Sequence, residues 1–245
     1  MTNDLLRALR MMVGVARLES AWITRQPMWI IQDIFMVISL SIILWAWGGV
    51  RGVSYVITGY IVATAFGLGV NIVGQSMGWS RVIKTLELYI ASPITPRIFI
   101  VATTLSGAVF LVTSFTLFLV LGLLLGQVKL VIYSFTSALL LTPLSVLLGL
   151  IIAFYVKKPG NISAITNPVV SILTLLPPVL YPVSVLPEPL RHIAVIIPTV
   201  TAAELARTLG GVETVYNPVL LAVILLTWTL IAFIIANRVV KWSLE

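Results

Sequence analysis

The sequence has no cysteine. Disulfide bonds and cysteine-ligated metal centres are thereby excluded. It has one histidine, His192, so the two-histidine H-E-x-x-H zinc site is excluded too. A lone histidine among apolar residues reads as a packed or interfacial side chain. Charge is scarce: 9% of the 245 residues are charged and only eight are acidic. The eight are scattered, and no cluster of polar groups suits an intramembrane hydrolase. No G-x-x-x-x-G-K-[ST] loop occurs, so the chain does not cradle nucleotide phosphates in the usual way. No cofactor or metal is expected in this chain.

Apolar residues fill the space that charge leaves. They make up 60% of the chain, and the mean hydropathy is +1.12. Soluble domains carry roughly 25% charged residues. A soluble protein of this composition could not cover its surface with polar atoms, which leaves an integral membrane protein. The apolar runs are long and continuous, so the spans are helical; a membrane barrel needs short alternating segments. The expected fold class is all-α, a polytopic membrane protein forming a single membrane domain. Six spans are read, at 28–47, 53–73, 98–125, 130–156, 162–180 and 216–236. The last holds twelve Val, Leu, Ile and Phe residues between Val219 and Ala236, together contributing roughly −4 to −7 kcal/mol to insertion. No cleavable signal peptide is read in residues 1–26, whose apolar positions never form a continuous core.

The net charge of +7 invites a nucleic-acid reading, but the basic residues cluster in loops beside the apolar runs, and no nucleic-acid partner is expected. That pattern sets membrane orientation instead. Eleven basic residues fall on one side: Arg7, Arg10, Arg17, Arg25, Arg81, Lys84, Arg97, Lys157, Lys158, Arg238 and Lys241. Four fall on the other: Arg51, Lys129, Arg191 and Arg207. Both termini are therefore expected in the cytoplasm. Asn161-Ile-Ser163 then lies on the wrong side for glycosylation.

Two segments on the predicted cytoplasmic side are amphipathic. In residues 1–26, Leu5, Leu6, Leu9, Met12, Val13 and Ala16 recur at helical spacing, opposite Arg7, Arg10 and Arg17. Trp22 and Trp29 follow at interface level, and Pro27 suits the turn into span one. This predicts a helix in the headgroup layer. The second segment predicts a helix over 80–92, capped by Ser80 and ended by Ser92-Pro93 and Thr95-Pro96. Val82, Ile83, Leu86, Tyr89 and Ile90 form one stripe; Arg81, Lys84 and Glu87 form another. It is either a solvated connector or a docking helix that passes a partner's movement to spans two and three.

Six of thirteen prolines lie in one apolar stretch, at 177, 178, 182, 187, 189 and 198. Proline costs about 3 kcal/mol in a helix interior. Broken backbone at membrane depth must be buried in protein or face water. Leu176-Pro-Pro178 is therefore expected to end span five. Residues 187–197 are expected to dip back into the outer leaflet as a short helix. Pro198 turns the corner into a second short surface helix, in which Glu204 and Arg207 are spaced to pair. Together, 187–209 cap the outer end of a path. Pro177, Pro178, Tyr181, Pro182, Pro187, Pro189 and Pro198 mark this expected outer gate. Asp33 lies early in span one, where an ionised group at bilayer depth costs at least ~2.5 kcal/mol. It is read as reaching cytoplasmic water or a basic neighbour, the alternative being a proton or substrate site. Gly74-x-x-x-Gly78 and Gly122-x-x-x-Gly126 permit close helix contact.

Thr85-Leu-Glu87 followed by Ser92-Pro93 resembles the loop after the second span in membrane subunits of type-2 ABC exporters. Leu186-Pro-Glu-Pro-Leu190, Ile197-Pro-Thr199 and Ala203-Glu-Leu-Ala-Arg207 resemble the same family's segment before the last span. The order and spacing of these motifs, and the six spans, extend the resemblance over essentially the whole chain. It is nearest the bacterial and archaeal drug- and lipid-exporting branch. The resemblance implies a permease paired with a second copy of itself or a homologous permease, in a prokaryotic plasma membrane. It implies two copies of a separate ABC ATPase subunit, which hold the ATP and magnesium. It places Arg81, Lys84, Thr85, Leu86 and Glu87 on a coupling helix against that ATPase, and Arg7, Arg10 and Arg17 on an elbow helix at the membrane lipid surface. Pro187 and Pro189 fall on an outer re-entrant segment. Residues 74–80 depart from the pattern in lacking the acidic residues that often precede the coupling helix.

Export of an amphipathic drug or lipid is the leading expectation. Export of polysaccharide or glycolipid, an ATP-independent carrier or channel, and a membrane scaffold are the alternatives. Thr58, Thr64, Asn71, Ser106 and Thr113 are the small polar residues expected to suit an amphipathic substrate.

Overall fold

A computed structural model describes residues 2–25, 28–212 and 216–240. Pro27, Lys241 and the side chains of Leu5, Trp22, Arg25, Trp29 and Thr113 lie outside that description. Every long element is a helix: α1 (Thr2–Arg25), α2 (Met28–Gly67), α3 (Gly74–Val82), α4 (Thr85–Ala91), α5 (Pro96–Leu124), α6 (Val128–Tyr155), α7 (Ile162–Leu175), α8 (Glu188–Ala194), α9 (Pro198–Gly210) and α10 (Pro218–Val239). The described residues form an all-α fold, as the apolar runs predict.

The helix α2 is a hairpin. Gly49 breaks it with φ 57° and ψ −144°, a backbone conformation open to a residue without Cβ. The Tyr60 hydroxyl donates to Asp33 Oδ1 at 3.1 Å. In a straight helix those residues stand about 40 Å apart, so the two limbs run antiparallel. Asp33 thus finds a tyrosine on the second limb, and Tyr60 in turn stacks on Phe118 with centroids 5.7 Å apart. The second limb continues through one π-helical turn, Leu68–Val73, into α3.

Length and composition mark 31–82, Val128–Tyr155 and Pro218–Val239 as able to cross a membrane, and the first contains the Gly49 turn. At 14 residues α7 is about 21 Å long, short of the ~30 Å hydrocarbon core. The chain beyond it runs to α8 without α-helix, with one 3-10 turn at Val183–Val185.

The central helix is α6, which packs on α9, α10, α5 and the second limb of α2. Its approach to that limb is backbone to backbone. A Cβ on Gly149 would overlap the Gly69 carbonyl, and one on Gly69 would overlap Ser145. Ser145 Oγ donates to the Ala65 carbonyl at 3.1 Å, one turn before the π segment. Of the pattern-derived glycines, Gly74 faces Gly149 at this same contact, while Gly78 leaves room for Ile162 and Gly122 for Val131.

One end of the bundle gathers α1, α3, α4 and the 156–161 turn. The other gathers the Gly49 turn, the loop at Gln127, residues 176–187, α8 and α9. Ser54 Oγ donates to Gln127 Oε1 at 3.0 Å across that second end.

Candidate functional site

At the α9 end the proline stretch folds much as its sequence demands. Helix α7 ends at Leu175, Pro187 precedes α8, and Pro198 opens α9, which is bent by 100° from α8. One expectation fails: α9 is no surface helix. Every residue from Pro198 to Arg207 is buried. The helix wedges between α6, α10 and the second limb of α2.

The reason is Arg207. Its side chain is 0% exposed and pairs with Glu204, also 0% exposed, at 2.7 Å. The guanidinium reaches further than this pair. Nη1 donates to the carbonyls of Pro178 at 3.1 Å and Tyr181 at 3.2 Å. Nη2 donates to the Val179 carbonyl, and Nε to Thr58 Oγ1 at 3.2 Å. The Tyr55 ring lies 4.8 Å from the guanidinium carbon. Prolines at 177 and 178 prevent regular helix, so the carbonyls that follow lose their helical donors. Arg207 supplies five N–H groups in a fixed fork and satisfies three of them. The second limb of α2 accommodates this backbone at Gly59, where a Cβ would strike the Val179 carbonyl. Thr58, expected beside a substrate path, is instead part of this staple. Tyr181 donates to the Leu176 carbonyl at 2.9 Å, and Pro177 and Pro178 are buried. Pro187, just before α8, and Pro189, in its first turn, are exposed. His192 is exposed and meets Tyr216 edge-on, with centroids 6.2 Å apart.

At the opposite end, the helix expected over 80–92 is in two pieces. Lys84 takes the left-handed conformation, with φ 60° and ψ 16°, and separates α3 from α4. Ser80 caps nothing. It lies inside α3 and donates to the Ser76 carbonyl at 2.9 Å. Because the helix breaks at Lys84, the expected charged stripe does not form. Arg81 turns inward, donating to the carbonyls of Ala153 at 2.6 Å and Val156 at 3.1 Å. It closes the C-terminal end of α6, where carbonyls lack partners and the helix dipole favours a cation. Leu86 is buried and Thr85 half-buried. Lys84 and Glu87 remain outside, 4.0 Å apart, beside exposed Trp79, Val82, Ile83 and Leu88. The result is an apolar knuckle with one charge of each sign. A left-handed lysine costs about 1–2 kcal/mol. Lys84→Gly is accordingly expected to hold or raise the melting temperature, and β-branched Lys84→Val to lower it by a few degrees, as thermal unfolding in detergent would show.

A family model described as ABC-2 family transporter protein matches residues 48–238. The chain belongs to that family. It is a multi-pass membrane protein and a permease component of an ABC transporter. No curated protein matches the sequence. The matched region of the ABC-2 permease contains both the Arg207 staple and the Lys84 knuckle, and it leaves out α1 and the first limb of α2.

On that first helix, Arg7, Arg10 and Arg17 are exposed, as are Leu6, Leu9 and Val13. Met12, Val15 and Ala16 face the protein, and α1 packs on α5. Sequence reasoning missed Glu19, which follows these buried positions at helical spacing. An acidic residue on a buried stripe is the signal that could have found it. It also missed Tyr60, Ser76 and Tyr89 as hydrogen-bond donors, since nothing local marks a tyrosine or serine for a distant carboxylate.

Proposed function

We propose that this permease exports an amphipathic drug or lipid, driven by two copies of a separate ATPase that hold the ATP and magnesium. In this reading the chain crosses the membrane six times, in a prokaryotic plasma membrane, with both termini in the cytoplasm. It pairs with a second copy or a homologous permease around the transport path. Exposed leucines and arginines on α1 support its placement in the cytoplasmic lipid headgroups.

The observation that carries the reading is the knuckle at Lys84. It projects beyond the end of span two, it is apolar with paired opposite charges, and its position is set by α3, a direct extension of that span. Force applied there is delivered to α2 and α6. Within the five residues expected to couple, Lys84 and Glu87 are the exposed contacts, with Thr85 between them; Arg81 and Leu86 anchor the knuckle from behind. At the far end, α8, α9 and residues 176–187 close the path and open it when the bundle moves. A mainly apolar bundle with a few small hydroxyl groups suits an amphipathic cargo better than a glycan.

Charge reversal tests the coupling. Lys84→Glu combined with Glu87→Lys is expected to lower ATP hydrolysis by the assembled transporter about tenfold, or to prevent assembly. Wild-type assembly and hydrolysis in that variant would sink the docking reading. Stimulation of hydrolysis across a panel of lipids, drugs and glycans identifies the cargo class, and stimulation by glycans alone would overturn the amphipathic assignment.

A further inference from the structure

Glu19 spends its two carboxylate oxygens on two different elements. Oε1 accepts from the Tyr89 hydroxyl of α4 at 3.0 Å. Oε2 accepts from Ser76 Oγ of α3 at 3.1 Å. Ser76 and Tyr89 flank Lys84, the left-handed joint between α3 and α4. One side chain of α1 therefore grips both sides of the joint. Residues 74–80 have no carboxylate of their own; Glu19 brings one there from 57 residues upstream of Ser76.

The link is well placed to bear load. The backbone of α4 lies mainly against α3. Side chains add to this hold: buried Leu86, half-buried Ile90 packed on the core, and buried Tyr89, whose ring packs on Phe99 with centroids 5.4 Å apart. Burial, and after it the Glu19 carboxylate, raises the Tyr89 phenol above its ordinary value, so the hydroxyl remains a donor. Hydrogen bonds to an ionised acceptor are roughly twice as strong as neutral ones.

We infer that Glu19 is a positioning residue that makes α1 and α4 move as one body when the ATPase acts on the knuckle. The inference rests on the permease reading above and extends it: the stroke is delivered to the surface helix as well as to span two. Without Glu19, α4 can swing about Lys84 and dissipate the movement.

The cysteine-free sequence permits a clean test. Spin labels at Leu18→Cys on α1 and Ala91→Cys on α4, both exposed positions, report the α1–α4 distance in the transporter assembled with its ATPase. With Glu19 present, the distance distribution is narrow and ATP leaves it unchanged. In Glu19→Ala the distribution broadens and ATP shifts it, and hydrolysis falls about tenfold, as expected for loss of a charge-assisted hydrogen bond. Glu19→Gln is intermediate, because its amide oxygen still accepts from Tyr89. Adding Tyr89→Phe to Glu19→Ala brings no further change, since the two residues act through one contact. A narrow, ATP-independent distribution in Glu19→Ala overturns the inference. Failure of the permease reading looks different: no ATPase subunit assembles with the wild-type chain, and the two-body motion falls with it.

Discussion

Arg207→Ala is expected to lose the outer segment. The substitution strips donors from the carbonyls of Pro178, Val179 and Tyr181 and leaves Glu204 buried without its cation. Breaking a buried ion pair from one side costs about 3–5 kcal/mol, and each orphaned carbonyl adds about 1–3 kcal/mol. Against a total stability of about 5–15 kcal/mol, the loss approaches the whole. For the pair alone the melting temperature is expected to drop by roughly 6–20 °C. Cysteine labelling at residues 176–182 is expected to become fast. Arg207→Lys recovers little, because an ammonium cannot span three carbonyls, a hydroxyl and a carboxylate. A paired apolar replacement separates the ion pair from the staple. Buried ion pairs are often replaceable by apolar residues at no loss, so Glu204→Leu with Arg207→Met would restore stability if the pair alone mattered. Here it is expected to fail, because the carbonyls of the proline stretch stay unsatisfied. Arg191 provides the control. It donates to the carbonyls of Ser184 at 2.9 Å and Leu186 at 3.0 Å nearer the surface, where water can replace it. Arg191→Ala is expected to shift the melting temperature by only about 2–4 °C.

Gly149→Val is expected to separate span two from α6. The added Cβ would overlap the Gly69 carbonyl oxygen and lie 3.1 Å from the Gly74 nitrogen. Both obstacles are backbone, so neither can rotate aside. Overpacking costs about 1–3 kcal/mol when side chains can yield, and more is expected here. Gly149→Ala is expected to lower the melting temperature by at least roughly 6–12 °C, and Gly149→Val to abolish a monodisperse preparation in size-exclusion chromatography. Gly14→Ala, at a position with nothing within 4 Å of the new Cβ, is expected to be neutral or stabilising by up to ~1 kcal/mol. Equal effects at positions 14 and 149 would overturn the packing argument.

Much of the bundle is legible in the sequence. The long apolar runs located the helices α2, α5, α6 and α10, because a run of apolar residues is a local property that needs no tertiary partner. The prolines at 177, 178, 187 and 198 located the ends of α7, α8 and α9, because their steric effect is confined to adjacent turns. The E-x-x-R spacing in α9 predicted the Glu204–Arg207 pair, because residues three apart on a helix always face one another.

Other features depended on contacts between distant segments. The burial of α9 could not be read from Ala203-Glu-Leu-Ala-Arg207, which has the pattern of a surface helix. Its partners are carbonyls 26–29 residues away and Thr58, 149 residues away. Arg81 looked like a docking charge until the end of α6 arrived, 72 residues later, to take it. The division of the 80–92 helix at Lys84 carries no glycine or proline to announce it; the turn goes with the packing of Leu86 and Tyr89 into the core. Glu19 drew no expectation from the sequence, because its partners Ser76 and Tyr89 lie 57 and 70 residues away. The long apolar helices and their proline breaks follow from the sequence alone, since apolar length and proline sterics act locally. Only the tertiary structure decided which polar groups meet inside, since a buried charge is tolerated only where partners from distant segments converge on it.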